Sequence, residues 1–209
     1  MTGPASEPPA LPLRLLYPVF FLSGLAAILY QLVWQRSLFT LYGTSSESVT
    51  VIVTAFMLGL GLGGLAGGWL SERPRVPLPT VFGLVELAIG LFGLVSLPFF
   101  RWVASWTSQA TGLGVGLSAM GAVLLPTLLM GATLPLLVAH RVKASGNVGR
   151  SVGELYFVNT LGSAAGAFLA ALVLLGALGQ TRSVMVAAGL NLSVAGLVLG
   201  FSSRLRGPR

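Results

Sequence analysis

The chain has 209 residues, of which 55% are hydrophobic and only 8% are charged, and its mean hydropathy is +0.89. A soluble domain carries roughly 25% charged residues, so this composition excludes a soluble globular protein and requires lipid as the solvent for most of the chain. The sequence has no cysteine and no aspartate, which excludes disulfides, thiolate chemistry and most acid–base and metal sites. The single histidine, His140, cannot form a zinc site by itself. We therefore expect no metal and no cofactor.

Six apolar runs, each long enough to cross a bilayer, follow a proline-rich beginning. Residues 1–13 contain four prolines and no helical period, so we predict a disordered N-terminal tail there. The sequence then predicts an all-α, polytopic integral membrane domain over residues 14–203 and a basic C-terminal tail over residues 204–209. The predicted spans are residues 15–35, 48–70, 78–100, 112–139, 151–178 and 183–201.

Two of the predicted helix starts show the spacing of a capping box. Thr44 and Glu47 precede the second span, and Ser151 and Glu154 open the fifth. In this motif the hydroxyl caps an amide of the first turn while the acid three residues later reaches back to the capping residue. The motif therefore gives Glu47 and Glu154 a structural explanation.

The second and fifth spans carry small residues at four-residue intervals, namely Gly59, Gly63 and Gly67, and then Gly162 and Gly166. Such residues share one helix face and let a neighbouring backbone approach closely. We interpret both stripes as helix-packing faces. A phosphate-binding loop is disfavoured because nothing here predicts a strand followed by a turn and a helix. The two stripes lie at corresponding places in two three-helix halves, which is typical of the inverted repeats of transporters.

The basic residues lie mostly in alternate segments between the spans. Nine Lys and Arg residues fall on the side of both termini, and three, Arg36, Arg101 and Arg182, fall on the other. Because basic residues accumulate on the cytoplasmic side, we predict that both termini face the cytoplasm and that the protein lies in the cytoplasmic (inner) membrane.

Glu86 is the one acidic residue inside a span that no helix cap explains. An acid at this depth is costly and marks a functional site or a buried hydrogen bond. Two interpretations are open. In the first, Glu86 binds a cation such as a polyamine ammonium or carries a coupling proton. In the second, a protonated Glu86 is hydrogen-bonded to another helix through Gln31 or Asn191.

Other polar residues and prolines also lie within the spans. Asn159 and Tyr156 are candidates to line the same cavity as Glu86, or else to form hydrogen bonds between helices. Pro126 and Pro135 in the fourth span mark either helices broken around a substrate or a simple kink.

Several stretches resemble the membrane domain that is fused to spermidine synthase-like proteins. They are LLPTLLMGATLPLL (124–137), VGELYFVNTLGSAAGA (152–167), FFLSGLAAILYQLVWQR (20–36) and AFMLGLGLGGLAGGWLSER (55–73). That membrane part is related to the major facilitator superfamily, so the resemblance implies half of a major-facilitator-like bundle. It also implies that Glu72, Arg73 and Arg75 form the charged cytoplasmic turn between spans two and three. Here Glu72 replaces the usual Asp, and Pro74 departs from the pattern.

In the full-length relatives, the resemblance implies a following aminopropyltransferase domain that uses aspartates. The sequence stops eight residues after Phe201 and has no aspartate, so we expect no catalysis by this chain itself. The expected function is a transporter-like membrane module that handles, or is linked to, polyamines or another small cation. The alternative is a membrane anchor or assembly subunit of a larger complex or of a separately encoded synthase. The expected partners are the bilayer and a second copy or another subunit, with no nucleic acid.

Overall fold

The computed structural model describes residues 11–43, 46–72, 76–107 and 112–204. Within these ranges the chain is all-helical and contains no strand. Six helices are long and apolar enough to cross a membrane, which confirms the all-α class and the number of spans. The helices are α1 (Leu13–Tyr42), α2 (Ser46–Glu72), α3 (Leu78–Thr107), α4 (Gly112–Ser145), α5 (Val148–Ala177) and α6 (Gly179–Arg204).

The two chain ends and parts of three turns fall outside the described residues. Residues 1–10 and 205–209 of the predicted tails are among them, as are Thr44, Arg73, Arg75 and the side chain of Glu47. The first capping box and most of the charged turn therefore stay predictions. Glu72 is the last residue of α2 and is exposed.

The first described residues pack against the end of α4. Leu11 is buried, and its backbone N–H donates to Nε2 of His140 over 3.0 Å. His140 thus binds the segment that precedes α1. This contact lies at the end of the bundle where α4 meets α5.

The predicted capping box at Ser151 and Glu154 is wrong. α5 begins at Val148, and its N-cap is Asn147, whose Oδ1 accepts from the backbone N–H of Arg150 over 2.9 Å. Asparagine is among the best N-cap residues because its side-chain oxygen satisfies an otherwise free amide. Ser151 already lies inside the helix and donates its hydroxyl to the carbonyl of Asn147 over 2.7 Å.

The six helices pack in pairs that have counterparts in the two halves of the chain. α2 packs mainly on α4, and α5 packs mainly on α1. α3 contacts α4, and α6 contacts α1, while α3 and α6 pack on each other. Exchanging the first three helices with the last three therefore reproduces these main pairs.

Glycine stripes form the two outer seams, α2 on α4 and α5 on α1. A Cβ at Gly63 would overlap the backbone of Leu128, and a Cβ at Gly166 would lie 2.7 Å from the carbonyl oxygen of Leu25. Only glycine permits such close backbone approach. The two contacts correspond to each other: Gly166 lies 103 positions after Gly63, and Leu128 lies 103 positions after Leu25. The remaining stripe glycines, Gly59, Gly67 and Gly162, likewise lie against backbone or side-chain atoms of α4 or α1.

α4 is continuous through both of its prolines, so the interpretation as a helix broken at Pro126 or Pro135 is wrong. A proline removes the hydrogen bond to the carbonyl four residues earlier. Thr127 donates its hydroxyl to the carbonyl of Val123 over 2.8 Å, and Thr133 donates to that of Met130 over 2.8 Å. Each of these carbonyls belongs to the residue adjacent to the one whose carbonyl loses its hydrogen bond because of the proline.

An aromatic cluster fills the bundle around Trp34 of α1. The Trp34 ring is fully buried, lies 4.7 Å from the ring of Tyr30, and meets the rings of Phe92 and Phe100 edge-on. Its Nε1–H donates to Oγ of Ser96 over 2.9 Å. The cluster joins α1 to α3 on the far side of α1 from α5. The other three tryptophans are exposed: Trp69, Trp102 and Trp106.

Candidate functional site

Glu86 is fully buried between three helices. Its exposed fraction is 0%, although it lies in α3 about 12 Å from the helix start at 1.5 Å per residue. Ser23 of α1 donates its hydroxyl to Oε1 of Glu86 over 2.5 Å. Asn191 of α6 donates its Nδ2–H to Oε2 over 2.6 Å. The carboxyl group thus ties α1, α3 and α6 together.

Two glycines let α3 and α6 come close enough for this contact. A Cβ at Gly83 would lie 2.9 Å from the Leu199 side chain, and a Cβ at Gly90 would lie 2.9 Å from that of Leu192. Gly83 and Gly90 are one turn on either side of Glu86. Their missing side chains allow Asn191 to reach the carboxyl group.

The carboxyl group of Glu86 has no basic partner in the described part of the chain. All ion pairs found there belong to Glu154, and the hydrogen bonds to Glu86 come from neutral groups. A buried charge is stable only when a proton or a counter-charge neutralises it. The Glu86 site therefore requires either a bound proton or a nearby positive charge.

A cavity of about 160 Å³ lies beside this site and is lined by all six helices. At about 30 Å³ for each water molecule, it has room for roughly five waters. Half of its lining side chains are polar: Ser23, Gln31, Thr133, Asn159, Ser163 and Asn191. The other half are apolar: Ala27, Ile28, Phe56, Leu60, Ile89 and Met130.

Glu86 does not line the cavity, but both of its hydrogen-bond donors do. Asn191 also carries a buried Oδ1 that has no hydrogen-bond partner. A buried carbonyl oxygen left in this state costs on the order of 1–3 kcal/mol. The two side chains that bind Glu86 therefore separate its carboxyl group from the cavity.

The structure brings only some of the predicted site residues together. Gln31 and Asn159 line the cavity, and Asn191 is the predicted partner that contacts Glu86. Asn159 also donates its Nδ2–H to the carbonyl of Phe20 over 3.3 Å, so it forms a hydrogen bond between α5 and α1.

Tyr156 is not part of this site. It is 61% exposed on the outside of α5 and does not line the cavity. Its distance of three residues from Asn159 allowed a shared face, but α5 lies at the edge of the bundle and turns Tyr156 outward.

Sequence reasoning missed the three hydroxyl residues of the cavity, Ser23, Thr133 and Ser163. A hydroxyl in an apolar helix often bonds to the carbonyl three or four residues earlier, as Thr133 does. Ser23 and Ser163 instead donate to other helices, to Glu86 and to the carbonyl of Gly24. The sequence contains no signal that separates these two situations.

A second carboxylate, Glu154, lies at the end of the bundle where α4 meets α5. Its Oε1 accepts from Nε of Arg150 over 2.6 Å, and its Oε2 accepts from the hydroxyl of Tyr17 over 2.8 Å. Arg141 of α4 also donates to Oε2 over 3.4 Å. The Glu154 side chain is 26% exposed. This cluster joins α1, α4 and α5 and balances its charge with residues of the same chain.

The chain is similar in sequence to polyamine aminopropyltransferases. It is 28% identical over 189 residues to polyamine aminopropyltransferase 1 of Streptomyces coelicolor and 29% identical over 190 residues to polyamine aminopropyltransferase 2 of the same organism. Each match covers 88% of this chain and 33% of the relative. A polyamine aminopropyltransferase of Mycobacterium tuberculosis is 27% identical over 182 residues, which cover 83% of this chain and 34% of the relative.

The chain thus spans about one third of the length of the curated relatives it matches. No protein-family profile matches the chain, and no solved structure matches it. The resemblance predicted from the sequence is confirmed as a distant similarity to polyamine aminopropyltransferases. The six long apolar helices make the chain a membrane protein.

Proposed function

We propose that the chain is a transporter-like, multi-pass module of the inner membrane that handles a polyamine or another small cation. The observation that carries this proposal is the buried carboxyl group of Glu86, which has only neutral partners among the described residues and lies behind a polar cavity. Ionisable groups inside membrane bundles mark ion and substrate pathways. A cationic substrate or a coupling proton supplies the charge that the described part of the chain does not supply.

The similarity to polyamine aminopropyltransferases supports an amine as the cation. The matched relatives are named for polyamines, and the matched part of each is about one third of its length. In this proposal the chain is a membrane component that binds or moves polyamines.

The proposed architecture is half of a major-facilitator-like bundle made from two inverted three-helix repeats. The equivalent packing of the two halves supports it, as does the equivalent seating of Gly63 on Leu128 and Gly166 on Leu25. Because each repeat has an odd number of spans, the second repeat enters the membrane from the opposite side. A second copy, or another membrane subunit, completes the bundle.

The proposed orientation places both termini in the cytoplasm, because the basic residues concentrate on that side. The sequence has no cysteine, so single-cysteine variants need no background substitutions. In right-side-out vesicles, a membrane-impermeant maleimide should label Thr40→Cys at the exposed end of α1 and leave Ala144→Cys at the end of α4 unlabelled. The reverse labelling pattern would invert the proposed topology.

The functional test is uptake of radiolabelled 1,4-diaminobutane by proteoliposomes that contain the full chain. Glu86→Gln removes the charge at nearly constant shape, so uptake should fall at least about tenfold, the effect of losing one interaction with a charged group. Ser193→Ala on the exposed face of α6 is the control and should transport normally. Unchanged uptake in Glu86→Gln would overturn a role for Glu86 in handling the cation.

The alternative function is a membrane anchor or assembly subunit for a larger complex or a separately encoded synthase. The similarity of these membrane helices to part of the polyamine aminopropyltransferases favours it. Co-purification in mild detergent with a soluble aminopropyltransferase from the same cells would support the anchor. Recovery of this polypeptide alone would count against it.

A further inference from the structure

The hydroxyl groups of the cavity direct their hydrogens to protein acceptors. Ser23 donates to Glu86, Thr133 donates to the carbonyl of Met130, and Ser163 donates to the carbonyl of Gly24. A hydroxyl has one hydrogen to donate and two lone pairs that accept. Each of these oxygens therefore keeps lone pairs that can accept a hydrogen bond from a ligand.

Two amide side chains of the cavity also donate their hydrogens to protein acceptors. Asn191 donates its Nδ2–H to Glu86, and Asn159 donates its Nδ2–H to the carbonyl of Phe20. The carbonyl oxygen of an amide only accepts hydrogen bonds. Oδ1 of Asn191 is buried and has no partner, so it is the acceptor that most needs a donor.

The remaining wall of the cavity is apolar. Alkyl side chains of Ile28, Leu60 and Ile89 are joined there by the ring of Phe56 and the thioether of Met130. A hard metal ion such as Ca²⁺ takes six to eight oxygen ligands, and this wall supplies none. A short alkyl chain fits it, because apolar atoms are stable against apolar atoms.

We propose that this cavity is a binding site for a primary alkylammonium group. The N–H groups of the ammonium donate to the hydroxyl oxygens of Ser23 and Thr133, and the alkyl chain lies against the apolar wall. Glu86 is a positioning residue: it takes the hydrogens of Ser23 and Asn191 and places a negative charge directly behind them. The inference rests on the proposed function, whose substrate class it names.

The test uses two cations with the same formula, butylammonium and tetramethylammonium. They have equal charge and the same number of atoms, but only butylammonium has N–H donors. Binding is measured by isothermal titration calorimetry on the full chain in lipid nanodiscs. Butylammonium should bind at least about tenfold more tightly, because each lost hydrogen bond to a charged group costs about that factor or more.

Thr133→Val is the main variant, because valine keeps the shape of threonine and removes only the hydroxyl. It should weaken butylammonium binding about tenfold and leave tetramethylammonium binding unchanged. Ser23→Ala should do the same. Ser193→Ala is the control, since Ser193 is exposed on α6, two residues from Asn191, and does not line the cavity.

Glu86→Gln tests the positioning role. The glutamine NH₂ donates where the carboxylate accepts, so Ser23 or Asn191 must turn a donor towards the cavity. The affinity ratio of butylammonium to tetramethylammonium should then fall towards one. A purely structural role for Glu86 would lower both affinities equally and keep the ratio, which would overturn the positioning role.

The outcomes separate the inference from the proposed function. If the unmodified chain binds no amine, the proposed function and the inference both fail. If amines bind but tetramethylammonium binds as tightly as butylammonium, the inference alone fails. Displacement of butylammonium by an equal concentration of K⁺ would also overturn it, because the site would then recognise charge and not N–H donors.

Discussion

The two glutamates at the centres of hydrogen-bond networks, Glu86 and Glu154, differ in how their charge is balanced. Glu154 lies at the end of the bundle, partly exposed, and pairs with Arg150 and Arg141. Glu86 lies fully buried, and within the described ranges its hydrogen-bond partners are a serine and an asparagine. Arginines of the same chain balance the charge of Glu154, whereas the described residues supply no positive charge to Glu86.

This difference separates a structural carboxylate from a functional one. A carboxylate that is paired with two arginines at an interface with water gains little from a further cation. A carboxylate with neutral partners in a low-dielectric interior attracts a cation strongly, because the interaction between charges is weakly screened there. The comparison predicts that substitutions at the two sites have effects of different size and kind.

The largest effect is expected for Glu86→Lys. It replaces a buried acceptor by a buried cation without a partner, and an uncompensated buried charge costs about 3–5 kcal/mol. Reversible unfolding in mixed detergent micelles measures this loss. Glu154→Lys is the matched charge reversal and should cost clearly less, because water reaches that site. Equal losses at both positions would remove the distinction between the two carboxylates.

Asn191→Leu should have the next largest effect. The variant leaves Oε2 of Glu86 without a donor, at a cost of about 1–3 kcal/mol. The same unfolding assay measures it, with Ser193→Ala as the control on the same helix. A loss no larger than that of the control would mean that Asn191 does not hold the carboxyl group.

The smallest effect is expected for Arg150→Gln. Arg150 is exposed, and exposed ion pairs contribute little because water and salt screen them. Its small destabilisation should vanish when the salt concentration is raised, whereas the loss caused by Asn191→Leu should persist. Melting temperatures of the two variants at low and high salt test this difference. A salt-independent loss in Arg150→Gln would show that its pair with Glu154 behaves as a buried one.

The sequence predicted the helices better than their ends. Six apolar runs of sufficient length leave no other class of fold, because every backbone polar group in a bilayer must be satisfied within the segment. The start of α5 was predicted at residue 151 from the spacing of Ser151 and Glu154. Asn147 caps the helix instead, and Glu154 is held by Tyr17 and the two arginines. Two helix caps only four residues apart cannot be ranked without knowing what the neighbouring helices offer.

The candidate site was predictable in part. Glu86 is conspicuous as an acid inside an apolar run, and Asn191 was one of two partners considered for it. Ser23 was not predictable, since it is 63 residues from Glu86 and only the packing of α1 on α3 brings them together. Tyr156 was included because it is close to Asn159 in sequence, but the position of α5 at the edge of the bundle decides which face meets the cavity.

The burial of Trp34 has a practical consequence for the experiments above. Its ring contacts Phe56, which lines the cavity, with 6.3 Å between the ring centroids. The other three tryptophans are exposed, so spin-labelled lipids should quench their fluorescence and leave that of Trp34. The emission that survives quenching then reports on the interior of the bundle without any added dye. A shift in the emission wavelength of Trp34 when an amine is added would report that the amine occupies the cavity.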